Sequence, residues 1–237
     1  RTHAEWHTVD KYFTRMNISV SEQIYQACPR LRLGIISCDV VNTPSDEALW
    51  DVIAAEEESL RLSMRMEEIA RRIPIYETRQ AYKKLGKDPN RYRPSAEALC
   101  RRILKGYPLY KIDTLVDLIN LVSIRTGYSI GGFDAGKIKG DLILGVGKAD
   151  ELFTGIGRGP LNIEGLPVYR DEQGGIGTPT SDDERTKIDL STTKLLMIIN
   201  GYSGEEGLME AVAYAKDLLE KYATARNIQI ETISPVL

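Results

Sequence analysis

Three short segments of the chain carry residue types that chemistry could use. Asp117 and Asn120 stand three apart in the stretch 114–126, which is otherwise apolar at Leu115, Val116, Leu118, Ile119, Leu121, Val122 and Ile124. Residues three apart share one face of a helix. A carboxylate on so apolar a helix is costly to bury alone, so the pair either joins a buried polar network or walls a pocket. Gly131-Gly132-Phe133-Asp134 follows, with Lys137 and Lys139 just beyond. Paired glycines let a backbone approach a ligand closely and expose its amides, and Asp134 can hold the turn. The segment lacks the Gly-x-x-x-x-Gly-Lys-[Ser/Thr] spacing of a phosphate loop, and a purely structural turn accounts for it as well. The third segment is Ser181-Asp182-Asp183-Glu184-Arg185-Thr186-Lys187. Exposed, it is a solvated loop; folded over a pocket, Arg185 can clamp a carboxylate or phosphate while a neighbouring acid orients an amine.

Other chemistries find little support. Cys100 and Ser123 have no histidine at a useful distance, so the nucleophile–base pattern is absent and no catalytic residue is assigned. The only histidines, His3 and His7, lie near the start of the chain, and a lone His-x3-His is a weak metal signal. Cys28, Cys38 and Cys100 are an odd number without a Cys-x-x-Cys pair, which reads as buried thiols rather than a disulfide framework. No metal and no cofactor is expected.

The elements that must position these segments follow from periodicity. Leu31 to Cys38 is a short apolar run suited to a buried strand. Ser45 is a candidate N-cap for a helix with Leu49, Val52, Ile53 and Leu60 on one face. A second helix follows Pro74 and ends at Gly86; a third restarts at Pro94-Ser95 and buries Ala96, Leu99, Cys100 and Ile103. From Tyr128 the period changes, and strands are expected at 128–131, 141–146, 166–169 and 194–199. Ser203-Gly-Glu-Glu206 reads as a capping box opening a helix with Leu208, Val212, Ala215, Leu219 and Tyr222, before a last strand at 228–233. Strands cluster between helical stretches, so the fold class is mixed α/β, not a doubly wound sheet. Residues 16–237 are expected to form one domain, and 1–15, with poor periodicity, an N-terminal arm of uncertain origin.

Composition limits the partners. The 237 residues are 42% hydrophobic and 27% charged, ordinary globular values. No apolar run approaches a membrane span and the start lacks a signal-peptide core, so a cytoplasmic protein without membrane contact is expected. A net charge of −3 does not advertise nucleic acid. Any RNA must meet a local basic patch.

Taken together, these segments resemble the B3/B4 domain of the phenylalanyl-tRNA synthetase β subunit, and more closely its stand-alone relatives. The likeness is carried by Leu115-Val-Asp-Leu-Ile-Asn-Leu-Val, by Arg125-Thr-Gly-Tyr-Ser-Ile-Gly-Gly-Phe-Asp134, by Arg91-Tyr92-x-Pro94-Ser95-x-Glu97-Ala98-Leu99-x-Arg101-Arg102 and by Asp183-Glu-Arg-Thr-Lys187. It covers about residues 20–225. It implies an α/β fold whose cleft receives the mischarged 3′ end of tRNA and hydrolyses the ester, a reaction that a positioned water and backbone donors can carry. In that reading Asp117, Asn120, Gly131, Gly132, Asp134, Asp183, Arg185 and Thr186 line the pocket. Lys87, Arg91, Arg93, Arg101, Arg102, Lys105, Lys137 and Lys139 are the candidates to meet RNA phosphates. The expected partner is tRNA or aminoacyl-tRNA, with no DNA. Two positions depart from the family pattern: Gly131 stands where it has His, and Tyr110 where it has Arg. The alternatives are a non-catalytic RNA-binding module and a protein- or metabolite-binding domain that kept the cleft.

Overall fold

A computed structural model describes residues 16–235; the arm 1–15, with both histidines, lies outside them. In chain order the elements are β1 (Ile18–Val20), α1 (Glu22–Ala27), β2 (Arg32–Asp39), α2 (Glu47–Ser63), α3 (Ile73–Lys84), α4 (Ser95–Leu104), α5 (Thr114–Thr126), β3 (Ile130–Asp134) and β4 (Leu142–Val146). A small ribbon, β5 (Thr154–Gly155) and β6 (Gly159–Pro160), precedes β7 (Pro167–Asp171), β8 (Gly174–Gly177), β9 (Lys194–Gly201), α6 (Leu208–Tyr222) and β10 (Arg226–Ile233).

The strands form two four-stranded sheets, in the orders β10-β2-β9-β3 and β1-β4-β7-β8. All pairings are antiparallel except β1 with β4. The period of two along β9 explains the layering. Leu195, Met197 and Ile199 pack against the helices, while Leu196 and Ile198 face the second sheet and its Leu142, Leu144, Tyr169 and Ile176. Helices therefore cover one face of the first sheet, and the second sheet covers the other. Gly34 of β2 has no room for a side chain, since a Cβ there would stand 2.8 Å from Val212 Cγ2 of α6. The mixed α/β expectation holds.

Local differences from the sequence reading have physical causes. Asp46, not Ser45, caps α2, accepting from the Leu49 amide at 2.9 Å, because the Ser45 hydroxyl is drawn to Asp117. The expected capping box at Ser203 does not form: α6 begins at Leu208 behind Gly207, with no side-chain cap. Strand β3 runs from Ile130 to Asp134, two residues beyond the expected start, because it is set by pairing with β9 rather than by apolar content. Helix α5 fits its reading closely. Asp113 caps it by accepting from the Val116 amide at 2.9 Å, and Gly127 ends it at φ +86°, a left-handed conformation that glycine adopts without strain.

Candidate functional site

Strand β3 is an edge strand, bonded on one side to β9. Edge strands leave outward N–H groups without ladder partners. Here the Gly132 N–H finds the carboxyl of Asp182, in the loop after β8. The loop is tied down by bridges from Gly177 to Asp182 and from Gly155 to Asp183, and by the Ile156 amide, which donates to the Asp182 carbonyl at 3.0 Å.

Aromatic and aliphatic side chains pack this junction. A Cβ on Gly131 would meet the Phe133 ring at 2.8 Å, and one on Gly177 would meet Phe133 Cζ and Asp182 Oδ1, both at 2.6 Å. A Cβ on Gly132 would stand 2.6 Å from Ile119 Cδ1 of α5 and 3.2 Å from Ile188 Cδ1. Helix α5, strand β3 and the 182–188 loop thus converge around Gly132. They also explain why glycine stands at 131: a histidine there requires the buried Phe133 ring to move.

Asp182 is the chemically distinctive group. Its residue is half-buried, and burial pushes its carboxyl up to about 8, with the Asp183 charge adding and the Gly132 amide opposing. A carboxyl that titrates near neutrality can give or take a proton at working pH. The sequence reading named Asp183, Arg185 and Thr186 in this loop and passed over Asp182. Nothing in an Asp-Asp pair tells which acid turns inward; the bridges decide it.

The other predicted pocket residues are placed as follows. Asp117 is fully buried, accepting from the Ile112 amide at 2.9 Å, the Trp50 indole at 2.9 Å and the Ser45 hydroxyl at 2.5 Å. It is a network carboxylate tying α5 to α2 and the chain before it, the first of the two alternatives for that residue. Asn120, one turn on, is half-buried. Asp134 accepts from the Gly136 amide and the Thr192 hydroxyl, both at 2.9 Å, and so holds the turn after β3. Asp183 accepts from the Arg185 and Thr154 amides at 2.8 Å each. Arg185 does clamp a carboxylate, but an internal one: its two terminal nitrogens donate to Asp171 at 2.9 and 2.7 Å. Burial raises the Asp171 carboxyl, yet Arg185 and the amides of Lys139 and Gln173 together hold it below its ordinary value. The Thr186 hydroxyl is buried and makes no hydrogen bond among the described residues.

The basic candidates divide in two. Lys87 is buried and donates to the Asn162 carbonyl at 2.9 Å, and Lys137 donates to the Lys187 carbonyl and to Asp189 at 2.7 Å each. A buried residue whose ammonium is engaged by the Asn162 carbonyl is poorly placed to meet a phosphate, a correction to the sequence reading for Lys87. Arg91, Lys105 and Lys139 are exposed, and Arg93, Arg101 and Arg102 half-buried.

Two clefts lie away from this junction. One of about 600 Å³ is bounded by Arg30, Arg125, Tyr128, Tyr214, Glu206 and Glu210; one of about 110 Å³ by Cys28, Arg30, Glu77, Lys84 and Tyr202. Sequence reasoning missed both, because their walls come from elements far apart in the chain. Among the described residues, no group of three or more His, Cys, Asp and Glu is placed to hold a metal, and no helix is long and apolar enough to cross a membrane.

Comparison with known proteins adds the following. No curated protein matches the chain. Among solved structures, it is similar to an N-terminal fragment of the phenylalanyl-tRNA synthetase beta-subunit from Pyrococcus horikoshii, at 14% identity and a TM-score of 0.47. That match covers 94% of this chain and 56% of the other, so the chain spans little more than half the length of that fragment. The model of the B3/4 domain matches residues 77–226, which include α4, α5, the Gly132–Asp182 junction and α6, and the chain therefore belongs to the B3/4 domain family.

Proposed function

We propose that this B3/4 domain binds tRNA and hydrolyses a mischarged aminoacyl ester in trans at the Gly132–Asp182 junction. One observation carries the reading: a carboxyl tuned to about 8 sits at the edge strand β3 and accepts from the Gly132 amide, where two glycines let α5, β3 and the 182–188 loop close together. Deprotonated Asp182 takes a proton from the attacking water as its oxygen bonds to the ester carbon. The tetrahedral intermediate then collapses, the C–O bond to the ribose breaks, and the protonated Asp182 returns that proton to the leaving oxygen. No protein nucleophile is required.

The test is a panel of aminoacyl-tRNAs with wild type and Asp182→Asn. Wild type should accelerate deacylation of at least one member, with a rate that rises with pH and levels off above about 8. Asp182→Asn should lose about a hundredfold or more of that acceleration. No acceleration on any member, or an Asn variant as fast as wild type, would overturn the reading.

A second reading, an RNA-binding module without catalysis, is favoured by the structural occupation of Asp117 and Arg185 and by Gly131 in place of the family's His. It predicts salt-dependent tRNA binding with no deacylation.

A further inference from the structure

The segment joining α4 to α5 displays a surface that the junction does not use. From Arg101 to Ile112 the chain carries four cations, Arg101, Arg102, Lys105 and Lys111, and no acid. Within it Tyr107 is 58% exposed and Tyr110 68% exposed. Large aromatic side chains left this open in a cluster mark an interaction surface more often than a solvated loop.

The strap is anchored, not loose. Leu109 is buried between the two tyrosines, and its amide donates to the buried Glu57 carboxylate of α2 at 2.8 Å. With Leu109 turned in, Tyr107 and Tyr110 are held outward. Arg102 lies between them: its guanidinium carbon is 3.9 Å from the Tyr110 ring centre and 5.5 Å from that of Tyr107. Its Nε donates to the Pro108 carbonyl at 2.8 Å, which fixes the side chain. Its two terminal nitrogens make no hydrogen bond among the described residues. Two open aromatic faces with a fixed guanidinium between them are the elements with which proteins hold single-stranded nucleic acid: bases stack on the rings and cations meet the phosphates.

We infer that Tyr107, Arg102 and Tyr110 form a stacking platform for a single-stranded stretch of RNA, with Lys105 and Lys111 following its backbone. The inference rests on the RNA-binding part of the function proposed above and is independent of hydrolysis. It also gives Tyr110, which stands where the family pattern has arginine, a role of its own: a ring in place of a charge.

The experiment is fluorescence anisotropy with a labelled uridine decamer, a duplex of equal length and heparin. Wild type should prefer the single strand. The double variant Tyr107→Ala/Tyr110→Ala should weaken it about tenfold or more, with an unchanged salt dependence because no charge is removed. Tyr107→Phe/Tyr110→Phe should bind as wild type does. Arg102→Ala should weaken binding and flatten the salt dependence. A wild type that binds the decamer yet deacylates no aminoacyl-tRNA speaks against the hydrolytic reading alone. The platform is overturned if the alanine double variant binds like wild type. It is equally overturned if wild type ignores the decamer, or binds duplex and heparin as tightly. Both tyrosines are exposed, and an unchanged unfolding curve separates lost stacking from lost fold.

Discussion

Replacing Asp117 with alanine tests how the central helix is held. The carboxylate is fully buried and accepts from three groups: the Ser45 hydroxyl, the Trp50 indole and the Ile112 amide. Removing it strands three donors, each of which costs about 1–3 kcal/mol when left without a partner. The Ser45 hydroxyl can rotate toward another acceptor, and the variant no longer buries a charge. A net loss of about 4 kcal/mol is expected, within the range seen when one partner of a buried charged network is deleted. With a urea slope of about 3 kcal/mol per molar, the unfolding midpoint should fall by about 1.3 M. Asp117→Asn keeps the volume and one acceptor oxygen but turns an amide toward donors, and should lose roughly half as much. The assay is equilibrium urea unfolding followed by far-UV circular dichroism, with equal slopes for all three proteins. A loss below about 1 kcal/mol for the alanine variant would refute the network.

Other consequences follow from the same contacts. Arg185→Ala leaves the Asp171 carboxylate, whose side chain has no exposure, without its partner, and should cost about 3 kcal/mol at neutral pH. Because Asp171 is held below its ordinary value in the fold, that contribution is present above the unfolded value near 3.9 and is lost as pH falls through the folded one. The gap between wild type and variant in unfolding experiments should therefore close in acid; a gap independent of pH contradicts the pairing. Gly177→Ala drives a methyl against Asp182 and the Phe133 ring and should destabilise by about 1–3 kcal/mol in thermal unfolding. The Cys38 thiol is pushed up to about 12 by burial, and burial also raises Cys28 and Cys100. A thiol reagent at pH 8 should label none of the three in the native protein and all three in denaturant.

The sequence disclosed α5 well because its interior is apolar nearly all round, and the Asp113 cap and Gly127 end that the fold adds agree with those bounds. It disclosed β2 and β9 because both are apolar enough to be buried on two faces. It concealed β8, whose Gly174-Gly175-Ile176-Gly177 has no residue pattern of a strand and exists through its pairing with β7. It concealed β1 for a like reason: three residues become a strand only beside β4. At the site, the three segments were visible in the sequence as a polar pair on an apolar helix, paired glycines beside an aspartate, and acids abutting bases. Their roles were not. Arg185 has the chemistry to clamp a ligand carboxylate, and only the fold reveals that Asp171 is already there. Lys87 has the charge for a phosphate, and only the fold reveals its burial. Asp182 and Asp183 are identical in type and adjacent, so their difference is purely one of side-chain direction in a bridged loop.

The most direct test is a titration of the isotope-labelled protein with an amide-linked aminoacyl-adenosine, which mimics the charged end of tRNA and resists hydrolysis. The account predicts saturable changes in the amide signals of Gly131, Gly132, Gly177 and Asp182, with an Asp182 side-chain carboxyl whose own pH midpoint near 8 moves when the analogue binds. Changes confined to the cleft of Arg30, Tyr128 and Tyr214, or none at all, would contradict it.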